Sequence, residues 1–254
     1  MKILVTGCRG FIGGHLVHQL RNLEYDVVGN DWADGFPDLS NVNWVMHLGA
    51  ISSTVERDVE KVLHQNLDFS IALYNECAIR GINFQYASSA SVYGLVSTFR
   101  EDAPVDPRTP YAWSKYLFER YIQQNPKTII TQGFRYFNVY GPNGEDHKGN
   151  QASPFYQFRK QFEETGQVTV FKGSESYQRD FVPVSTVVNT HIQFMDIKES
   201  GIWNVGTGRT MSFADVARKY TNNIVEIPMP DVLKSNYQEY TCADVTKLNA
   251  TLNK

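Results

Sequence analysis

Cysteine is scarce: three residues, Cys8, Cys77 and Cys242, stand far apart. They offer neither the even count of a disulfide framework nor a metal-ligand spacing. The six histidines are scattered and form no HExxH-type pair, so no metal site is expected. No window reaches the roughly 18 apolar residues that a membrane span requires. An excess of one charge sign is lacking too. The formal net charge of −3 gives no reason to expect a nucleic acid or another polyanion as partner. Internal repeats and low-complexity tracts are missing. The N-terminal "MKILVTG" is apolar, but it runs into a glycine loop without a cleavage site and reads as a strand, not a signal peptide. The expectation is a reduced, cytoplasmic, metal-free protein, and 254 residues suffice for one large α/β domain with or without a small annex.

What is present begins with that glycine loop. "KILVTG" is a short apolar run, and after it Phe11, Ile12, Leu16, Val17 and Leu20 recur at near-helical spacing. Between the two lies "TGCRGFIG", with Gly7, Gly10 and Gly13 three residues apart. A strand–glycine loop–helix lets bare backbone N–H groups at a helix N-terminus approach a pyrophosphate. "YDVVGND" ends in Asp31, 18 residues past Gly13, where a carboxylate can accept hydrogen bonds from the adenosine ribose. Asp31 would repel a 2′-phosphate and so favours NAD, whereas the Arg9 guanidinium pulls towards NADP. NAD is the expected cofactor, with NADP as the alternative.

Further along, "VNWVMHLGA" (42–50) reads as a buried strand, residues 57–80 as a long helix ending before Gly81, and "INFQYASSA" as a strand. A helix over about 109–125 and the strand "TIITQGFRYFN" follow. Strands alternating with helices imply an α/β, Rossmann-type, doubly wound parallel sheet with its ligand at the carboxyl ends of the strands. Only 12 residues separate Asp31 from Trp44, so a strand–helix pair common in such folds is missing. The expected division is 1–141 for dinucleotide binding and 142–254 for a smaller substrate domain, with about 180–200 rejoining the first.

"TPYAWSKYLFER" starts a helix, with Thr109 as N-cap and Pro110 at the first helical position. Tyr111 and Lys115 then share a face, and a cation close to the phenol would lower its pKa towards neutrality. "YASSASVYG" closes a strand with Ser88, Ser89 and Ser91, hydroxyls at the edge where a substrate oxygen would sit.

Taken together, "TGCRGFIG", "SSASVYG", "YAWSK", "FRYFNVYGP", "RDFVPV" and "NVGTG" resemble the extended short-chain dehydrogenase/reductase family of nucleotide-sugar epimerases and dehydratases, in order and over nearly the whole chain. The resemblance implies a Rossmann domain for NAD(P), held by Gly7, Arg9, Gly10, Phe11, Ile12, Gly13, Asp31, Tyr111 and Lys115. It also implies a C-terminal domain for a nucleoside-diphosphate sugar. Ser89 would orient the reacting hydroxyl and Tyr111 exchange its proton, with Lys115 on the nicotinamide ribose. Asn138 and Tyr237 would lie at the substrate, and Arg179 would pair with its diphosphate.

Within the family, "GAISSTVERD", "GPNGEDHKGNQAS", "VFKGSESYQRDF" and "NYQEYTCADVTKL" are most similar to the ADP-glycero-manno-heptose 6-epimerases. That similarity places a second acid/base on Lys148, in "EDHKG", with His147 beside it. Removing a hydride from the sugar carbon and returning it to the other face of a ketone needs a proton donor on each side, here Tyr111 and Lys148. The chain departs from that pattern in its short segment after Asp31 and in Gln157, where the heptose enzymes have histidine. It also ends soon after "TKLNATLNK", short of the final helix such epimerases usually carry. Ala90 and Ser91 stand where a 4,6-dehydratase carries acids, so dehydration is not expected. An NADPH-consuming keto-sugar reductase and a non-catalytic dinucleotide sensor are the rival readings. Oligomeric state is not legible, which leaves a homo-oligomer open.

Overall fold

The computed structural model describes residues 1–234 and 237–253. Its centre is a six-stranded parallel sheet formed by β1 (Lys2–Thr6), β2 (Asp26–Asn30), β3 (Trp44–His47), β4 (Asn83–Ser89), β5 (Thr131–Tyr136) and the strand Gly201–Val205. The strands lie in the order Gly201–Val205, β5, β4, β3, β1, β2. This is the Rossmann-type, doubly wound arrangement expected from the strand–helix alternation.

Both faces of the sheet are covered, and the period-2 geometry of strands sorts the apolar residues between them. Leu4, Val45, Phe84 and Tyr86 pack on one side with Leu73, Tyr74 and Cys77 of α3 (Phe69–Arg80) and Phe118 of α4 (Pro110–Gln124). Ile3, Val5, Trp44 and Met46 pack on the other side with α1 (Phe11–Asn22) and with Val184 and Val188 of α6 (Val184–Phe194). The helix expected over 57–80 is present as α2 (Val59–Leu63), a π turn at His64–Asp68 and α3, and it ends at Gly81 with φ 69°. Between β2 and β3 the chain makes only the short 3₁₀ turn Trp32–Asp34, which leaves β2 as the sheet edge.

After Tyr140 the elements are smaller. Helix α5 (Pro154–Thr165) packs with the strand pair Val168–Phe171 and Ile224–Ile227, and the chain re-enters the main sheet through α6 and Gly201–Val205. No helix among the described residues is long and apolar enough to cross a membrane.

Two buried histidines support the core in neutral form. His47 lies 2.7 Å from Thr6 Oγ1 and 2.8 Å from Ser70 Oγ, and His191 lies 2.7 Å from Gln85 Oε1. Burial holds both at about 3. A histidine whose folded-state value is depressed favours folding above its unfolded value of about 6.5, and loses that stability as pH falls from there. The thermal midpoint should therefore drop between pH 6.5 and pH 5, each histidine costing on the order of 2 kcal/mol at pH 5. Melting curves across that range check this; a flat profile would show that the native state accepts these protons.

Candidate active site

The glycine loop fits a dinucleotide because its own packing excludes side chains. Gly7 has φ 70°, and a Cβ there would come within 2.7 Å of Gly49 Cα; one at Gly13 would meet Gly7 O at 2.0 Å. Gly10 is the N-cap of α1 and has no side chain to satisfy the first N–H groups, which stay available to an anion. Beside the loop is a cavity of about 120 Å³ lined by residues that include Gly7, Asp31, Trp32, Gly49, Gln65 and Phe69. Asp31 Oδ2 accepts from Arg9 N at 2.8 Å and from Cys8 Sγ at 3.3 Å, which leaves Oδ1 for ribose hydroxyls. These features suit an NAD-type dinucleotide, and Phe11 and Ile12 open the helix beneath it.

Ser89 ends β4 at the carboxyl edge of the sheet, where its Oγ accepts from Ser91 N at 3.1 Å. Thr109 caps α4 through Ala112 N, with Pro110 leading the helix, so Tyr111 and Lys115 emerge on one face as the four-residue spacing requires. The Ser89 side chain is close enough to the Tyr111 phenol to lower its pKa, and Lys115 Nζ lies 5.9 Å from the Tyr111 ring centre. The structure thus brings Ser89, Tyr111 and Lys115 together.

The electrostatics correct one expectation. Burial raises the Tyr111 pKa and the nearby Ser89 side chain only partly opposes it, so Lys115 does not bring the phenol towards neutrality. Lys115 instead donates to Ala87 O at 2.9 Å. Its own pKa falls to about 8, because burial outweighs the carboxylate of Glu119 one turn along α4.

Glu119 belongs to a buried network that sequence reasoning missed. It accepts from Arg135 Nε at 3.0 Å, Arg135 Nη2 at 2.7 Å and Ser88 Oγ at 2.5 Å. The signal was a charged pair set in otherwise apolar surroundings, Arg135 in "GFRYF" and Glu119 four residues after Lys115. Asn66 was missed as well. From the π turn it holds Ile51 N (2.7 Å) and Ser114 Oγ (3.1 Å), tying the loop after β3 to α4. Within the polar run "HQNLD" nothing marks it.

Lys148 occupies a short 3₁₀ turn, Asp146–Gln151. Its Nζ lies 5.0 Å from the Phe11 ring centre and 3.5 Å from Glu145 Oε2, and no hydrogen bond joins it to Tyr111. Glu145 is fully buried and also accepts from Ser153 N and Oγ, at 2.6 and 2.7 Å, which anchors the turn to the start of α5. Gln157 closes the turn by donating to Gly149 O at 2.5 Å.

On the C-terminal side, Asn138 follows β5 and its N–H donates to Asp180 O at 3.0 Å. Arg179 is buried, 5.1 Å from the Tyr237 ring centre and 5.4 Å from that of Phe213. It donates to Gln178 O at 3.0 Å, and among the described residues no carboxylate pairs with it. Burial lowers its pKa, with Tyr237 opposing. The neighbouring Asp180 is fully satisfied by Thr207, Gly208 and Ala243, which fixes the "NVGTG" loop in place. No cluster of His, Cys, Asp and Glu suited to a metal occurs among the described residues.

This geometry agrees with what sequence comparison finds. The model of the NAD dependent epimerase/dehydratase family matches residues 3–34 and 30–206. The chain belongs to that family. An ADP-L-glycero-D-manno-heptose-6-epimerase of Alkalilimnicola ehrlichii is 39% identical over 290 residues, covering 98% of this chain and 90% of the relative. That span exceeds the 254 residues present, so the relative carries stretches without counterparts in this chain. Among solved structures, UDP-glucose 4-epimerase of Thermotoga maritima superposes with a TM-score of 0.88 at 26% identity, covering 100% of this chain and 93% of that one. The Helicobacter pylori ADP-L-glycero-D-manno-heptose-6-epimerase, at 22% identity, shares the fold with a TM-score of 0.84, covering 99% and 90%.

Proposed function

We propose that this family member is a nucleotide-sugar epimerase acting on an ADP-heptose-like sugar through a transient keto intermediate, with NAD as its recycled cofactor. The observation that carries the reading is the meeting of Ser89, Tyr111 and Lys115 at the carboxyl edge of the sheet, the edge that also carries the glycine loop. Bound NAD would supply the hydride acceptor and return the hydride. The chain's own residues handle protons and position. Ser89 orients the sugar hydroxyl, Tyr111 gives and takes its proton, and Lys115 holds the nicotinamide ribose. Lys148 serves the opposite face.

Arg179, buried without an acidic partner among the described residues and flanked by Tyr237, suits the diphosphate, since an unpaired buried cation is costly until an anion meets it. Asn138, bonded to the neighbouring Asp180, and Tyr237, beside Arg179, would also contact the substrate. We assign residues 142–254 to substrate binding, apart from the return through α6 and Gly201–Val205. Asp31 favours NAD, and Arg9, the residue that argued for NADP, is already occupied by Asp34.

Incubating the purified protein with a panel of nucleoside-diphosphate sugars, ADP-glycero-manno-heptose among them, tests the reading by NMR. Interconversion at one carbon without net change in the dinucleotide is expected. Stoichiometric NADPH consumption with no epimer formed would establish the reductase instead.

A further inference from the structure

Arg9 is the one guanidinium in the glycine loop, and both ends of it are engaged. Its backbone N–H donates to Asp31 Oδ2 at 2.8 Å, while Nη2 lies 2.7 and 2.8 Å from the two oxygens of Asp34. Asp34 is held by the 3₁₀ turn that replaces a strand and helix here. Its N–H donates to Asp31 O at 2.8 Å, and its Oδ2 accepts from Asp31 N at 2.8 Å. The same turn sets Trp32 against Phe69 and His64, so one three-residue segment both walls the cavity and returns a carboxylate to the loop.

We propose that Asp34 is a cofactor-specificity residue, which withdraws Arg9 from a 2′-phosphate and so selects the unphosphorylated dinucleotide. The proposal rests on the reading of this cavity as the dinucleotide's adenosine end. A 2′-phosphate needs a guanidinium free to pair with its oxygens. Here it would have to displace Asp34 from Arg9 while facing two carboxylates, Asp31 and Asp34, against one cation. The pair is solvent-exposed, and exposed ion pairs are weak. The lock is therefore breakable, and its effect on affinity should be modest, screened by salt and dependent on Arg9. An unphosphorylated ribose meets only the Asp31 carboxylate and is indifferent to the lock.

Calorimetric titration of the full chain with NAD and with NADP tests this in a double-mutant cycle. Asp34→Asn keeps an oxygen to cap Asp31 N, so the turn is retained, and a thermal melt verifies that the variant is folded. It should tighten NADP about five- to ten-fold at low salt while NAD changes by less than about two-fold. Arg9→Ala alone should leave NADP weak. In the Arg9→Ala/Asp34→Asn double variant the gain for NADP should vanish. A gain that survives in the double variant overturns the proposal, because Asp34 then acts by its charge and not through Arg9. An unchanged NAD/NADP ratio in Asp34→Asn overturns it too, while leaving the cavity's assignment standing. Failure of the wild type to bind either dinucleotide overturns both.

Discussion

Replacing Tyr111 by phenylalanine should cut turnover by about 10²–10⁴, the range for loss of a general acid/base, and should leave dinucleotide affinity nearly unchanged. The reason is local. The phenol stands beside Ser89, and phenylalanine keeps the ring, its packing on α4 and the Thr109 cap while removing only the hydroxyl. Burial raises the Tyr111 pKa, so in this structure the phenol holds its proton. It is suited to donating to a carbonyl oxygen. Lys115, read as the holder of the nicotinamide ribose, has a pKa of about 8 in its buried site, so it is charged below about pH 8 and neutral above. Turnover should therefore decline above about pH 8 in the wild type, and Lys115→Arg should shift that limb upward if it retains activity. Single-turnover kinetics with calorimetry of the dinucleotide separate the two effects. Near-normal turnover in Tyr111→Phe would remove the residue from the mechanism.

How far this site was legible follows the range of the interactions involved. The glycine loop, the helix start at Thr109–Pro110 and the Tyr111–Lys115 spacing are set by contacts within a few residues, and the structure places them as their pattern implied. The sheet was legible because its strands are short apolar runs covered on both faces. The Lys115 effect on Tyr111 was misjudged because spacing along a helix says nothing of the carbonyl at Ala87 or of how deeply the phenol is buried. The Arg9–Asp34 pair was also out of reach. Arg9 and Asp34 are 25 residues apart, and they meet only because the chain turns at once after β2 instead of continuing into another strand. Glu145 is similar: a loop acid by composition, it is buried because Ser153 brings the start of α5 down onto it.

That buried carboxylate bears on the lysine of "EDHKG". Lys148→Met should abolish epimerisation while the protein still binds a nucleotide sugar. Methionine matches the length of the aliphatic stem, so packing over Phe11 is preserved, and the amine alone is lost. Glu145 keeps its bonds to Ser153, so the turn holds its shape without Lys148. If Lys148 is the second acid/base, the loss is one-sided. The epimer whose hydroxyl faces Tyr111 should still reduce enzyme-bound dinucleotide, seen as the absorbance of its reduced form, and the epimer facing position 148 should become inert. A lysine that bound only the diphosphate would instead weaken both epimers alike, and one serving solubility would change neither. His147→Ala separates the neighbour. Normal epimerisation in the lysine variant together with loss in the histidine variant would move the role by one residue. The two variants probe different surroundings, because the Lys148 ammonium lies over the ring of Phe11, the first residue of α1, and 3.5 Å from the buried Glu145 carboxylate.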